Sequence, residues 1–236
     1  TSSTADTVTR RAAIVNQIWV ITPAPLTGQA IGGAFRNLKI TNGGTPDSQM
    51  AISADALTAE TSNGVAVRLE SVSVTPAITA SGANGLDTGT VATSTWYSEW
   101  VIYNPSTTTI AGLFSTSSTA PTMPSGYTYK VRVGWAQTDA SSHFYRLLQQ
   151  SRDAHYVIGT NPTVPLTIAS GAAGTANLTS PTLVSVSVSS CVPSTASDVL
   201  VGVNAQWKGS GAGTLLVAPN VNWGGTNNGP QNVDMG

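Results

Sequence analysis

Alternation of apolar and polar residues with a period of two is the feature that most limits what this chain can fold into. It is clearest over residues 127–136, where the odd positions are aromatic or β-branched. Those odd positions are Tyr127, Tyr129, Val131, Val133 and Trp135. Because successive side chains of a β-strand point to opposite sides, the pattern predicts a central antiparallel strand with one buried face.

The same alternation recurs elsewhere along the chain. It is found in residues 65–69, 164–168, 184–188 and 199–207. No stretch keeps apolar residues at helical spacing for three turns, so we predict an all-β fold: an antiparallel β-sandwich or jelly-roll domain, or two such domains, with an N-terminal arm. Short helical pieces are expected only around residues 53–59 and 145–151.

Two local signals refine the strand prediction. The dipeptide Asn63-Gly64 is the best hairpin candidate, because this pair tolerates the two positive φ angles of a type I′ turn. Between Leu69 and Val72 the apolar positions change from odd to even, which a regular strand cannot do without turning its core face to water. A bulge or tight bend is therefore predicted near Glu70 and Ser71.

Three zones are predicted along the chain: an arm over residues 1–31, a β-sandwich domain over residues 32–158, and a second β domain over residues 159–236. The junction between the two domains is placed at the turn-rich residues 159–162. Within the arm, residues 14–21 are apolar on both faces of a predicted strand, which calls for a covering surface on the main domain or a neighbouring subunit. The predicted assembly residues are Ile14, Ile18, Trp19 and Ile21.

Composition excludes several classes of function. Charged residues make up 9% of the 236 residues, against about a quarter in an average soluble domain. The 10 Lys and Arg nearly balance the 11 Asp and Glu, so nucleic acid is not an expected partner. No apolar run approaches the roughly twenty residues that span a bilayer, so no membrane insertion is expected. The single cysteine, Cys191, excludes an intramolecular disulfide and is interpreted as a small buried or strand-end residue.

Catalytic chemistry finds little support in the sequence. A Ser-His-Asp set could be drawn from Ser141 or Ser142 with His143 and Asp139 or Asp153, and His155 is the only other histidine. However, no nucleophile elbow is present between a strand and a helix. The three glutamates, Glu60, Glu70 and Glu99, are not paired in sequence as a glycosidase pair would be. We therefore predict a protein without enzymatic activity.

Asp87 offers oxygen ligands in the glycine-rich segment 82–89, but the spacing does not match a twelve-residue calcium loop. A role in stabilising the turn is favoured for this side chain. No phosphate-binding or dinucleotide-binding loop occurs, so neither a metal nor a cofactor is expected.

The aromatic cluster at residues 96–103 is the most informative local feature. On one strand it would place Trp96, Trp100 and Ile102 on one face, and Tyr97, Val101 and Tyr103 on the other. The favoured interpretation is that one face is core and the other packs on a second sheet or a subunit. The alternative is that Tyr97 and Tyr103 are exposed and stack on the sugar rings of a bacterial surface glycan.

The order of motifs over roughly residues 38–158 resembles a module of tailed-bacteriophage virion surface proteins, the tail and head fibres. The residues that carry the resemblance are Gly85-Leu86-Asp87-Thr88-Gly89, the aromatic strand from Trp96 to Asn104-Pro105, Ser115-Thr116-Ser117, Ala120-Pro121, and Pro124-Ser125-Gly126-Tyr127. The resemblance implies a location on the surface of a virion, outside the cell, more strongly than it implies a task. Residues 1–31 and those after 159 show no family pattern.

By this resemblance, the leading hypothesis is a fibre or fibre-attachment protein whose arm docks on the virion and whose β domains project outward. Partners would be other virion proteins and further copies of the chain, with a trimer favoured by analogy. A capsid decoration protein and a carbohydrate-binding module that recognises the host receptor are the alternatives. A hydrolase acting on surface polysaccharide is the least favoured.

Overall fold

The computed structural model describes residues 33–157 and 184–200. The described residues form ten β-strands and no helix, so the predicted all-β class is confirmed for this part of the chain. It therefore contains no helix that could span a membrane. The strands are β1 (Phe35–Arg36), β2 (Lys39–Asn42), β3 (Met50–Glu60), β4 (Ala66–Val74), β5 (Gly85–Leu86), β6 (Trp96–Asn104), β7 (Thr109–Ser115), β8 (Tyr129–Gln137), β9 (Leu147–Gln150) and β10 (Asp153–Tyr156).

All ten strands belong to one mixed sheet. Its main path runs β10-β9-β2-β3-β8-β6-β7-β5, and β1 and β4 also pair with β3. Every pairing between strands is antiparallel except the short parallel pair of β5 and β7. The link between β3 and β8 is a single residue pair, Glu60 with Lys130. Chain contacts divide the protein into two compact units after Val157.

The two expected helical pieces are wrong. Residues 53–59 lie within β3, and residues 147–150 form β9. In β3 the buried residues alternate from Met50 through Ile52 and Ala54 to Ala56, and Leu57, Thr58 and Ala59 are buried as well. Ala54 and Leu57 lie three positions apart, which is the spacing of neighbours on one face of a helix. Pairing with β4 along most of β3 overrides the helical preference of its alanines.

The predicted bend near Glu70 and Ser71 is confirmed. Leu69 and Val72 are both buried, whereas the two residues between them are exposed. Ser71 adopts a φ of 51°, which changes the phase of β4 without shifting its register against β3. Asn37, between β1 and β2, has a φ of 54° on the opposite side of β3. The phase change therefore crosses neighbouring strands along one line, which we call the crease: Asn37, Asp55 and Ser71.

The hairpin at Asn63-Gly64 is also confirmed, since it connects β3 to β4. The turn type is not I′, because only Gly64 of this pair has a positive φ, 79°. The loop spans residues 61–65, and the Gly64 N–H donates to the Thr61 carbonyl at 3.0 Å. A longer loop with one left-handed glycine therefore closes the hairpin.

The strongest predicted strand is present as β8, but its predicted face is only partly right. Val131 and Val133 are buried as expected. Glu99 pairs with Gly134 and Trp100 with Arg132, so β8 carries a bulge at this point. After the bulge Ala136 is buried and Trp135 is only half-buried, edge-on to Trp96.

Two hydrophobic clusters explain why β6 is aromatic on both faces. The main core takes Tyr97 and Val101 from β6 together with buried residues of β2, β3, β4, β7 and β8. A smaller cluster on the other face contains Trp100, Ile102, Ala111 and Leu113. It is covered by Ala83, Met123 and Tyr127, which belong to loops rather than to a second sheet.

Residues 184–200 form turns and no strand. The predicted strand at residues 184–188 is therefore wrong; its valines are exposed and no described strand pairs with them. Cys191 is half-buried in a turn rather than at a strand end, and its N–H donates to the Val188 carbonyl. The strand at residues 164–168, most of that at 199–207, and the junction at 159–162 lie outside the described residues.

Candidate functional site

The aromatic strand β6 does not present its tyrosines equally. Tyr97 is 1% exposed, lies in the main core, and accepts a 2.7 Å hydrogen bond from the Ala92 N–H through its hydroxyl oxygen. Its ring has no face free for a sugar. This agrees with the interpretation that the face of the cluster with Tyr97 packs in the core. Tyr103 is half-buried, and its ring centroid lies 5.9 Å from that of Tyr129. Of the two proposed contact residues, only Tyr103 reaches the surface of this chain.

A second group of aromatic and basic side chains lies on the other face of β6 and β8. The Arg132 guanidinium lies 5.5 Å from the Trp135 ring, and the Lys130 ammonium lies 5.5 Å from the Trp100 ring. Both cations also donate to backbone carbonyls of the loop after β7, Arg132 to Ser118 at 2.7 Å. These contacts hold the loop against the sheet, so the two cations stabilise the fold.

Asp87 connects two loops. One carboxylate oxygen accepts the Thr88 N–H at 2.7 Å, and the other accepts the Thr122 N–H at 2.9 Å. Within residues 33–157 and 184–200 no group of three acidic, histidine or cysteine side chains could hold a metal ion. The side chain therefore has the turn-stabilising role favoured from the sequence.

Replacing Asp87 with alanine should lower the free energy of unfolding by about 1–3 kcal/mol, because two backbone donors lose a charged acceptor. Urea denaturation measures this change. Asp153→Ala is the matched control, since Asp153 is exposed on the edge strand β10 and should change stability by less than about 0.5 kcal/mol. Equal effects of the two substitutions would contradict the structural role of Asp87.

The Ser-His-Asp candidates do not come together as a catalytic set in the described residues. One oxygen of Asp139 accepts the backbone N–H groups of Ser141 and His143, at 2.7 and 2.9 Å. The carboxylate thus organises its own turn, and no described hydrogen bond joins it to an imidazole. Asp153 and His155 lie on β10 with exposed side chains.

Glu99 is the residue that sequence reasoning missed. Its side chain is 0% exposed, and neither carboxylate oxygen has a hydrogen-bond partner among the described residues. Burial raises the pKa of Glu99 to about 8, since a charged carboxylate loses its hydration there. The signal was present in the sequence: Glu99 shares the strand face of Tyr97 and Val101, which the favoured interpretation of the aromatic cluster buries.

Neither of the other two glutamates is fully buried, unlike Glu99. Glu70 is exposed and pairs with Arg68 at 3.0 Å on the same strand. Glu60 is half-buried at the end of β3, where it lies opposite Lys130. Neither lies beside Glu99 in the strand pairing, so the structure pairs no two glutamates there.

An open depression of about 430 Å³ lies at the crease and is lined mainly by polar residues. Asp55 accepts a hydrogen bond from Asn37 and lies 3.4 Å from the Arg36 Nε. Glu70, also in the lining, is paired with Arg68. The charges of the depression are thus neutralised by their neighbours, which leaves no marked preference for an anion or a cation.

The predicted assembly residues Ile14, Ile18, Trp19 and Ile21 lie outside the described residues. Within residues 33–157, Leu86 is buried, Asp87 connects two loops and Asn104 closes a turn. Comparison with known proteins finds no matching family model, no curated protein with significant similarity, and no solved structure with significant similarity.

Proposed function

We propose that this chain is a structural, non-enzymatic component of a phage virion, a fibre or fibre-attachment protein. In this proposal residues 1–31 anchor the chain to the particle, and its β domains project outward. The proposal rests on the resemblance of residues 85–127 to virion surface proteins and on the observation that residues of these motifs are buried or close turns in one β domain. Such residues maintain a scaffold rather than a reaction centre.

Three residues of these motifs support that argument. Leu86 is buried in the core and Asp87 connects two loops. The Asn104 side-chain oxygen accepts the N–H groups of Ser106 and Thr107, which closes the turn between β6 and β7. These two motifs thus contain residues with a local structural role, as expected for a protein whose task is to keep its shape in an assembly.

The finer architecture belongs to the same proposal. In the strand order, the groups β10-β9-β2-β3 and β8-β6-β7-β5 are linked through the pair of Glu60 and Lys130. Both groups contribute to the main core, and Ile40 of β2 lies close to Gly134 of β8. We propose that the sheet folds over at this junction into a sandwich whose two faces enclose that core.

The location can be tested directly. Antibodies raised against residues 33–157 should decorate purified particles of the phage that encodes the chain, as seen by immunogold electron microscopy. Labelling confined to projecting fibres supports the fibre proposal, whereas even labelling of the capsid faces supports the decoration alternative. Particles without label, in a preparation where the antibody detects the purified protein, would contradict a virion role.

The anchor can be tested by deleting residues 1–25. We expect the truncated chain to remain folded but to be absent from particles, because an apolar strand buried in a neighbour contributes about 25 cal/mol for each Å² removed from water. Light scattering of the full chain should give the mass of a trimer. Unchanged incorporation of the truncated chain would refute the anchor and leave the virion location intact.

Carbohydrate binding is the second candidate, and the half-exposed pair of Tyr103 and Tyr129 favours it. Aromatic rings at a surface suit the apolar face of a sugar. Glycan-array binding that disappears in Tyr103→Ala, while the variant remains folded, would support a receptor-binding role. Tyr97 is unsuitable for this test because it is buried.

A further inference from the structure

Glu99 occupies a place where an ionised carboxylate is costly. It points into the main core between Tyr97 and Val101 of the same strand, and its two oxygens accept no hydrogen bond from any described residue. An unpaired charge in such a place lacks both water and a counter-ion. A neutral carboxylic acid avoids most of this cost and gains an O–H donor.

Gln149 of β9 supplies the acceptor for that donor. It is buried, and its Nε2 donates to the Val133 and Ser151 carbonyls at 2.8 and 2.9 Å. These two bonds fix the amide orientation and leave Oε1 to accept. No described residue donates to this oxygen in the structure.

The side-chain oxygens of Glu99 and Gln149 both approach Gly134. A Cβ atom at this position would lie 2.6 Å from both Glu99 Oε2 and Gln149 Oε1. The two oxygens therefore lie at most about 5.2 Å apart, beside the bulge of β8. Two acceptor oxygens repel each other when the acid is ionised, and they share a proton when it is neutral.

We propose that Glu99 and Gln149 form a proton-dependent contact that holds the hairpin of β9 and β10 on the core. The hairpin forms one end of the strand order. It pairs with β2 through only three residue pairs, and Asp153, Ala154 and His155 of its outer strand are exposed. When Glu99 ionises, displacement of this hairpin admits the water that the carboxylate requires.

No other charge accounts for the behaviour of Glu99. The cause of its raised pKa is burial alone. The charged and titratable groups of the surrounding strands point elsewhere. Three cations lie over aromatic rings: Lys130 and Arg132 of β8 over tryptophan rings, and Arg152 over Phe35. Lys39 of β2 and Asp153 and His155 of β10 are exposed, and the Tyr97 hydroxyl is hydrogen-bonded to Ala92. β7 contains no charged residue.

The direction of the pH effect follows from the two protonation states. Burial raises the pKa of Glu99 from 4.5 to about 8 in the closed state, and water restores the ordinary value when the hairpin opens. Between these values the closed state holds a proton that the open state does not. The closing equilibrium constant is therefore largest below about pH 4.5 and falls by about tenfold per pH unit until about pH 8.

Hydrogen exchange of the full chain tests this proposal. Protection of residues 147–156, corrected for intrinsic exchange, should fall by up to about tenfold per pH unit from about pH 5 to 8. The same region in Glu99→Gln should show no such fall, because the amide cannot ionise. Glu70→Gln, which removes an exposed carboxylate, is the matched control and should behave as the unmodified chain does.

Several results would overturn the proposal. A flat pH profile in the unmodified chain would do so, even if Glu99→Gln failed to fold. A fall that is equally large in β6 and β8 would show that the whole domain loosens rather than the hairpin. Infrared spectra provide an independent check, since a carboxylic-acid C=O band of the unmodified chain should be present at about pH 6 and absent above about pH 9.

Discussion

Replacing Tyr97 with alanine should lower the free energy of unfolding by about 3–5 kcal/mol, the range for removing a large aromatic side chain from a close-packed core. Tyr97 is among the largest fully buried side chains of the described residues, and it contacts the main core from the middle of the sheet. Neighbouring side chains cannot fill the resulting cavity without moving the strands that carry them. Urea denaturation with an unchanged m-value measures the loss.

Two further variants separate packing from hydrogen bonding. Tyr97→Phe keeps the ring and removes only the acceptor of the Ala92 N–H, so it should cost about 1 kcal/mol. Tyr103→Ala removes a half-buried ring and should cost clearly less than Tyr97→Ala. If Tyr97→Ala proved as stable as the unmodified chain, the side chain could not lie in the core.

The difference between these two tyrosines bears on any study of glycan binding. A loss of binding in Tyr97→Ala would report on a destabilised fold, because the ring is inaccessible in the folded chain. A loss in Tyr103→Ala, measured at a temperature where the variant is folded, would report on the surface. The sequence treats the two residues as equivalent, since both occupy odd positions of one strand.

The alternation of side chains between the two faces of a strand explains what could be predicted from the sequence. The alternation along β6 correctly separates Tyr97 and Val101 from Trp100 and Ile102, because a strand has only two faces. The same rule, applied to the phase change after Leu69, predicted the bend that the structure places at Ser71. These predictions need only local information about the backbone.

The prediction errors arise where the conformation of one strand depends on its pairing with another strand. Val133 and Gly134 form a bulge because β8 must stay in register with β6, and this shift turns Trp135 away from the core. Residues of β3 change phase opposite Ser71, which made an extended segment resemble a helix. Neither shift can be interpreted from its own segment alone, since it depends on the pairing with a partner strand.

Glu99 shows the same limit of sequence-based prediction in the candidate site. Its parity predicts a buried position, but a buried glutamate is expected to have a partner. Only the folded arrangement shows that the Glu99 carboxylate and the Gln149 amide oxygen both approach Gly134. The sequence holds all three residues without indicating that they meet.

Replacing Gly85 with alanine should lower the free energy of unfolding by about 1–3 kcal/mol, the usual cost of forcing extra volume into a packed site. A Cβ atom at Gly85 would lie 2.4 Å from the Ala80 carbonyl oxygen and 2.5 Å from its carbon. These are backbone atoms, so no side-chain rotation can relieve the clash. The Leu86 N–H also donates to the Ala80 carbonyl, so movement of residue 80 would strain that hydrogen bond.

Gly44→Ala provides the matched control, because Gly44 has no positive φ and its nearest neighbour would be 4.0 Å from the new Cβ. It should change stability by less than about 0.5 kcal/mol. Denaturant titration of both variants measures the difference. A large cost at Gly85 and none at Gly44 would show that the backbone packs closely at Gly85, whereas a neutral Gly85→Ala would contradict this close packing.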